Sequence, residues 1–199
     1  MDASILDAVY AYWFGDLKAW DEQPDAERRT EWFRPTAEID AHIRDTWGPH
    51  IEAARDATWE LSALTRRQQA GLIVLLDQFP RQIHRDSGAA FACDSVALSI
   101  ARALVAAWRR FFVVEQTFVM LPFEHSEDVA DQDLAVKLYA DRTLEVPPAH
   151  LESAREQLDY ATRHRDIIRR FGRFPHRNAV LGRESTAAEI AFLKGGRGF

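Results

Sequence analysis

Three segments concentrate ionisable side chains beside a Phe-Pro or Pro-Phe pair. The first, Leu75-Leu76-Asp77-Gln78-Phe79-Pro80-Arg81-Gln82-Ile83-His84-Arg85, follows a strongly apolar run with several polar groups around a proline. Polar groups at the end of a buried helix must be paired or wet, so Asp77 and Arg81 read either as an ion pair closing the helix or as one wall of a polar pocket. The second is Leu121-Pro122-Phe123-Glu124-His125-Ser126-Glu127-Asp128, followed by Gln132. His125 between carboxylates has the composition of a general base whose tautomer an acid fixes. The third, His164 through Asn178, adds Arg173, His176 and Arg177 around Phe174-Pro175, with Gly182-Arg183 beyond. Arginine forks suit carboxylate or phosphate, and His164 shares a helical stripe with Ala161, Ile168 and Phe171, which turns it inward.

Helices must position these groups, because apolar residues recur at helical spacing and alternating strand patterns do not. Ile5, Val9 and Trp13 repeat at i, i+4, and Gly15 supplies a stop. Ile39, Ile43, Trp47 and Ile51 continue the spacing through Gly48-Pro49, where the missing amide donor predicts a kink or break. Thr65 with Gln68, and Thr186 with Glu189, have capping-box spacing. Pro80 is expected to end or bend the helix behind Thr65. Asp86-Ser87-Gly88 marks a turn before a run of small residues from Ala89 to Ala103, and Phe111-Phe112-Val113-Val114 reads as a helix boundary or buried segment. Ser126 is a plausible N-cap, placing Glu127 and Asp128 in a first turn. A further helix is expected from about Pro148 to Phe171, capped by Gly172, and the tail Gly195-Gly196-Arg197-Gly198 should fray. The sum is an all-α single domain over residues 1–199, of about seven or eight helices. No 34-residue repeat is visible.

Net charge is −6, which argues against nucleic acid or anionic lipid as a bulk partner. Between Arg163 and Arg183, however, seven arginines face one acid, Asp166: this window carries +6 and the remainder −12. A basic window on an acidic body suits a small anion, an acidic peptide or internal neutralisation; 22 Arg against 3 Lys also permits a plain compositional bias. An acidic N-terminus, and no apolar run of the length a membrane span needs, point to the cytoplasm. Cys93, the single cysteine, is expected to be a small buried residue. Metal, nucleotide and hydrolase signatures are absent, so no cofactor is expected.

With these residues in view the chain resembles the bacterial family called domain of unknown function 924, of the TPR-like helical superfamily. The resemblance rests on Tyr12-Trp13-Phe14-Gly15, Trp32-Phe33, Leu75 through Arg81, Ala90-Phe91-Ala92 with Asp94, Leu121 through Asp128 with Gln132, and His164 through Asn178 with Leu181-Gly182-Arg183. It departs at Gln82-Ile83-His84, where the family has Asn-Ile and an aromatic residue. It implies a TPR-like fold and carries no catalytic residue with it. From the residues themselves, Asp77, Arg81, Glu124, His125, His164, Arg173, His176 and Arg177 form a candidate site for a small anion or an acidic peptide terminus. The alternatives are an enzyme with His125 or His164 as base and Arg173 or Arg177 stabilising an oxyanion, and a protein-interaction module.

Overall fold

A computed structural model describes residues 2–33 and 36–196, with the side chain of Phe33 left out. The expected roles of the Phe33 side chain and of Arg197 and Gly198 lie outside the described residues. Among the described residues there is no strand, and the chain is all-α. It folds as two compact units, Met1–Arg85 with Ala89–Pro122, and Asp86–Gly88 with Phe123–Phe199.

The first unit is built on α1 (Ser4–Phe14), α2 (Ala26–Phe33), α3 (Ala37–Asp56), α4 (Arg66–Ile73), α5 (Phe79–Ile83), α6 (Asp94–Leu104) and most of α7 (Val113–Glu124). Leu6, Val9, Tyr10, Trp13 and Phe14 bury one face of α1. The helix stops at Gly15, whose φ of 76° is a conformation open to glycine at little cost. Beyond it Arg28 donates to the carbonyls of Ala11 and Tyr12, groups the helix end leaves unsatisfied. Helix α2 and most of α7 are elements that periodicity did not single out. Helix α2 has few apolar residues, and the apolar residues of α7 are too continuous to show a stripe.

Neither Pro49 nor Pro80 breaks its helix. Helix α3 runs unbroken through Pro49. The donor that proline lacks would have met the carbonyl of Asp45, and both residues are exposed, so water can replace it. Trp47 and Ile51 stay buried on the other face. Pro80 does not end its helix either. Before it lies a π turn, Val74–Gln78, in which the Phe79 amide donates back to the Val74 carbonyl. This widened turn puts Pro80 in the first turn of α5, where the missing donor costs least.

A buried carboxylate ties the unit together. Glu115 on α7 is fully buried and accepts from the Tyr10 hydroxyl at 2.5 Å, from Arg66, and from the Phe112 amide at 2.8 Å. Burial, then the bond to Glu115, pushes the Tyr10 phenol up. Three donors offset the desolvation that an unpartnered carboxylate would suffer. The stretch Gly88–Arg110 does reach the length and apolarity of a membrane span, contrary to the reading of the bare sequence. Its alanines hid this, because small residues look weakly apolar one at a time. Ala97 and Ala101 are fully buried, and Cys93 is buried as expected.

The second unit is an antiparallel pair, α8 (Val129–Glu145) and α9 (Leu151–Phe171), followed by an irregular loop and α10 (Ala187–Lys194). Ala135, Ala154 and Ala161 are fully buried and let the pair approach closely. Gly172, at φ 70°, closes α9 in the left-handed conformation. The N-cap of α8 is Asp128, not Ser126: its carboxylate accepts from the Ala130 amide at 2.7 Å and from Asp131. Ser126 is occupied in donating to Asp131 and accepting from the Asp128 amide. Glu127 therefore lies ahead of the helix, available for other contacts.

In the first unit α1 and α4 meet at Gly71, where a Cβ would lie 2.4 Å from the backbone oxygen of Leu6. Backbone cannot swing aside as a side chain can. Gly71→Ala should destabilise the protein by about 1–3 kcal/mol, the usual cost of overpacking, read as a lower urea midpoint at unchanged slope.

Candidate functional site

The loop after α9 carries Arg173, Phe174, His176 and Arg177, and its shape is set by Glu127. One carboxylate oxygen of Glu127 accepts from the Phe174 amide at 2.8 Å, and both oxygens take the Arg183 fork, at 2.6 and 3.0 Å. Arg183 also donates to the Phe174 carbonyl at 3.2 Å. Phe174 is thus held by both its backbone groups. Partial burial raises the Glu127 carboxyl, but the bonds from Arg183 and from the Phe174 amide outweigh it and hold the group below its ordinary value.

Phe174 is fully buried, with three polar side chains against it. The His164 ring stands edge-on at 5.4 Å, the His176 ring lies at 5.5 Å, and the Arg177 guanidinium lies 4.4 Å from the ring centre. His164 turns inward as its stripe predicted, at 6 % exposure. Its Nδ1 lies 3.0 Å from the Tyr160 carbonyl and 3.4 Å from Glu124 Oε1. Both are acceptors, so Nδ1 carries the proton and Nε2 the lone pair. Burial pushes the His164 pKa down to about 3, and His125, Arg177 and His176 push in the same direction. At neutral pH the single Nδ1 proton serves the Tyr160 carbonyl, and the approach to Glu124 is that of a neutral ring, not an ion pair.

Of the eight residues singled out, five belong to this cluster: Glu124, His125, His164, His176 and Arg177. Glu124 and Arg177 are buried, His125 is half-buried and His176 is exposed. Arg173 points elsewhere. Its fork takes both oxygens of Glu189, at 2.7 and 2.9 Å, and it donates to the Glu184 carbonyl. Glu189 is also the third residue of the α10 capping box, so Arg173 pins α10 to the loop. Asp77 and Arg81 belong to the first unit, where Arg81 bridges Asp77 at 3.4 Å and Asp94 at 2.8 Å. This is the helix-closing ion pair, extended by a second acid.

The basic window is largely neutralised within the second unit. Arg163 pairs with Asp159, Arg165 with Asp166, Arg169 with Asp133, Arg173 with Glu189 and Arg183 with Glu127. Arg170 stacks on Phe171. Four of the five acids lie outside the window, which is why its local charge overstated its field. Among the described residues no cluster of three or more His, Cys, Asp or Glu is arranged to hold a metal ion. Tyr160 was missed by the motifs, although it stands one helical turn before His164. Its ring lies 4.7 Å from that of His164.

A family model described as bacterial protein of unknown function (DUF924) matches residues 9–197. A solved structure of a protein of unknown function from Agrobacterium tumefaciens is similar, at 30 % identity and a TM-score of 0.76. The alignment covers 98 % of this chain and 100 % of that one. A search of curated proteins returned no match.

Acid should weaken the protein in two successive windows. An unfolded His164 binds a proton near pH 6.5 and the folded one only near 3, so its contribution is complete above 6.5 and is lost as pH falls. The slope approaches about 1.4 kcal/mol per pH unit at most. Glu127, depressed from 4.5, adds a loss of the same sign only below that value. His164→Gln should flatten urea stability between pH 6.5 and 4.5, and Glu127→Gln should flatten it below 4.5.

Proposed function

The chain belongs to the bacterial family DUF924, and we propose that its second unit binds a small anion, a carboxylate or phosphate, at the cluster around His164. The observation that carries this reading is the grouping of His164, His176 and Arg177 around Phe174, with His125 near enough that it, like His176 and Arg177, opposes protonation of His164. An anion placed there would reverse that sign and gain charge-assisted hydrogen bonds. His125 and His176 are the parts of the cluster that solvent reaches. Arg177 adds a cation behind them. The terminal carboxylate of an acidic peptide has the same chemistry. The scaffold fits a TPR-like, cytoplasmic binding protein.

The approach of His164 Nδ1 to Glu124 Oε1, at 3.4 Å, is also the orientation of a general base. Magnitude decides between the two readings. A general base works best with a pKa near the working pH, and an imidazole held at about 3 is a weak proton acceptor at neutrality. Binding is the better use of this ring.

The test is thermal unfolding of the full chain in inorganic phosphate and in acetate. At tenfold over its Kd an anion contributes about 1.4 kcal/mol, or a midpoint rise of about 3–6 °C for a chain of this size. The rise should shrink strongly in His176→Ala, where an exposed side chain is removed, and in Arg177→Lys, which keeps charge but loses the fork. No rise with either anion, or one unchanged in both variants, would overturn the proposal.

A further inference from the structure

Gln132 follows the second polar motif, in the first turn of α8, where its backbone amide donates to the Asp128 carbonyl at 3.1 Å. Its side chain is fully buried. Nε2 faces three backbone oxygens, those of Glu124 at 2.6 Å, Ser126 at 2.7 Å and Phe123 at 3.3 Å. Its two N–H bonds serve the two near carbonyls, and the third shares one of them. The amide cannot be turned over, because Oε1 would then oppose three acceptors. Oε1 is buried and has no partner among the described residues, so this side chain is placed for its donors.

These oxygens need such a donor. Phe123 and Glu124 end α7, and the last carbonyls of a helix have no amide of their own helix to accept from. The Phe123 carbonyl also takes the Ser126 amide, at 3.2 Å. Gln132 thus closes α7 from the neighbouring helix. Its two short bonds fall on the carbonyls either side of His125, that of Glu124 before it and that of Ser126 after it. The neighbouring side chains of the turn are engaged in turn: Glu124 approaches His164 Nδ1, Ser126 donates to Asp131, and Glu127 holds Phe174 and Arg183. A turn released from Gln132 would move His125 relative to all of them.

We infer that Gln132 is a positioning residue of the anion site, which acts by holding the turn that presents His125. The inference rests on the anion-binding reading above and adds a residue that acts on the anion only through another. A glutamine that merely closed α7 would change stability without acting through His125, and a pair of variants separates the two roles.

The test is calorimetric titration of the full chain with inorganic phosphate and with acetate. Gln132→Met keeps the length of the side chain and loses both donors. It should weaken each anion that the unaltered protein binds about tenfold, the worth of one hydrogen bond to a charged group. His125→Ala should cost the same factor, and the double variant no more than either change alone, because residues that act through one another do not add. In the unaltered protein the bound anion should slow hydrogen exchange of the Gln132 side-chain amide, a measurement that does not depend on how a variant folds. Unchanged affinity in Gln132→Met, losses that multiply in the double variant, or amide exchange indifferent to the anion would overturn the inference and leave anion binding standing. If the unaltered protein binds neither phosphate nor acetate, both readings fall together.

Discussion

Glu127 is the residue on which the geometry of the second unit turns. A loop of the composition Gly172-Arg173-Phe174-Pro175-His176-Arg177-Asn178 has no regular ladder to satisfy its backbone. One carboxylate supplies the acceptor for the Phe174 amide, and through Arg183 it also supplies the donor for the Phe174 carbonyl. With both groups satisfied, Phe174 can be buried completely. Its ring then becomes the surface on which His164, His176 and Arg177 are arranged. The half-buried setting makes these bonds stronger than the same contacts at a fully exposed position. Glu127 has room to do this because Asp128, one residue later, takes over the capping of α8.

The two units manage buried charge by the same rule in different settings. Glu115 is buried among Tyr10, Arg66 and the Phe112 amide, and its lone pairs are spent on holding α1, α4 and α7 together. Glu189 does likewise for α10, serving the helix cap and Arg173 at once. His164 solves the problem the other way, by remaining neutral. A neutral imidazole in a buried setting is what separates this cluster from the paired carboxylates elsewhere.

Parts of the site were legible in the residues. The stripe of Ala161, His164, Ile168 and Phe171 turned His164 inward, and the capping boxes at Thr65 and Thr186 formed as their spacing required. These are local features, decided within one or two helical turns. The fate of each arginine was not legible. Arg169 reaches 36 positions back to Asp133, and Arg183 reaches 56 positions back to Glu127. A window count of charge cannot see such partners. Pro49 and Pro80 illustrate the same limit, since proline removes one donor but what replaces it depends on exposure and on the turn before it.

The sequence by itself determined the all-α class, the helix ends at Gly15, Thr65, Gly172 and Thr186, and the family, because periodicity, caps and contiguous motifs act over short separations. Tertiary structure alone decided that Arg173 serves α10 while Arg177 lies against Phe174. It also brought Tyr160 to the border of the His164 cluster. Arg173 and Arg177 stand four positions apart in one motif and look interchangeable there. They differ because an ion pair forms with whichever carboxylate the packing brings within about 3 Å, and that distance is a property of the folded helices rather than of the chain.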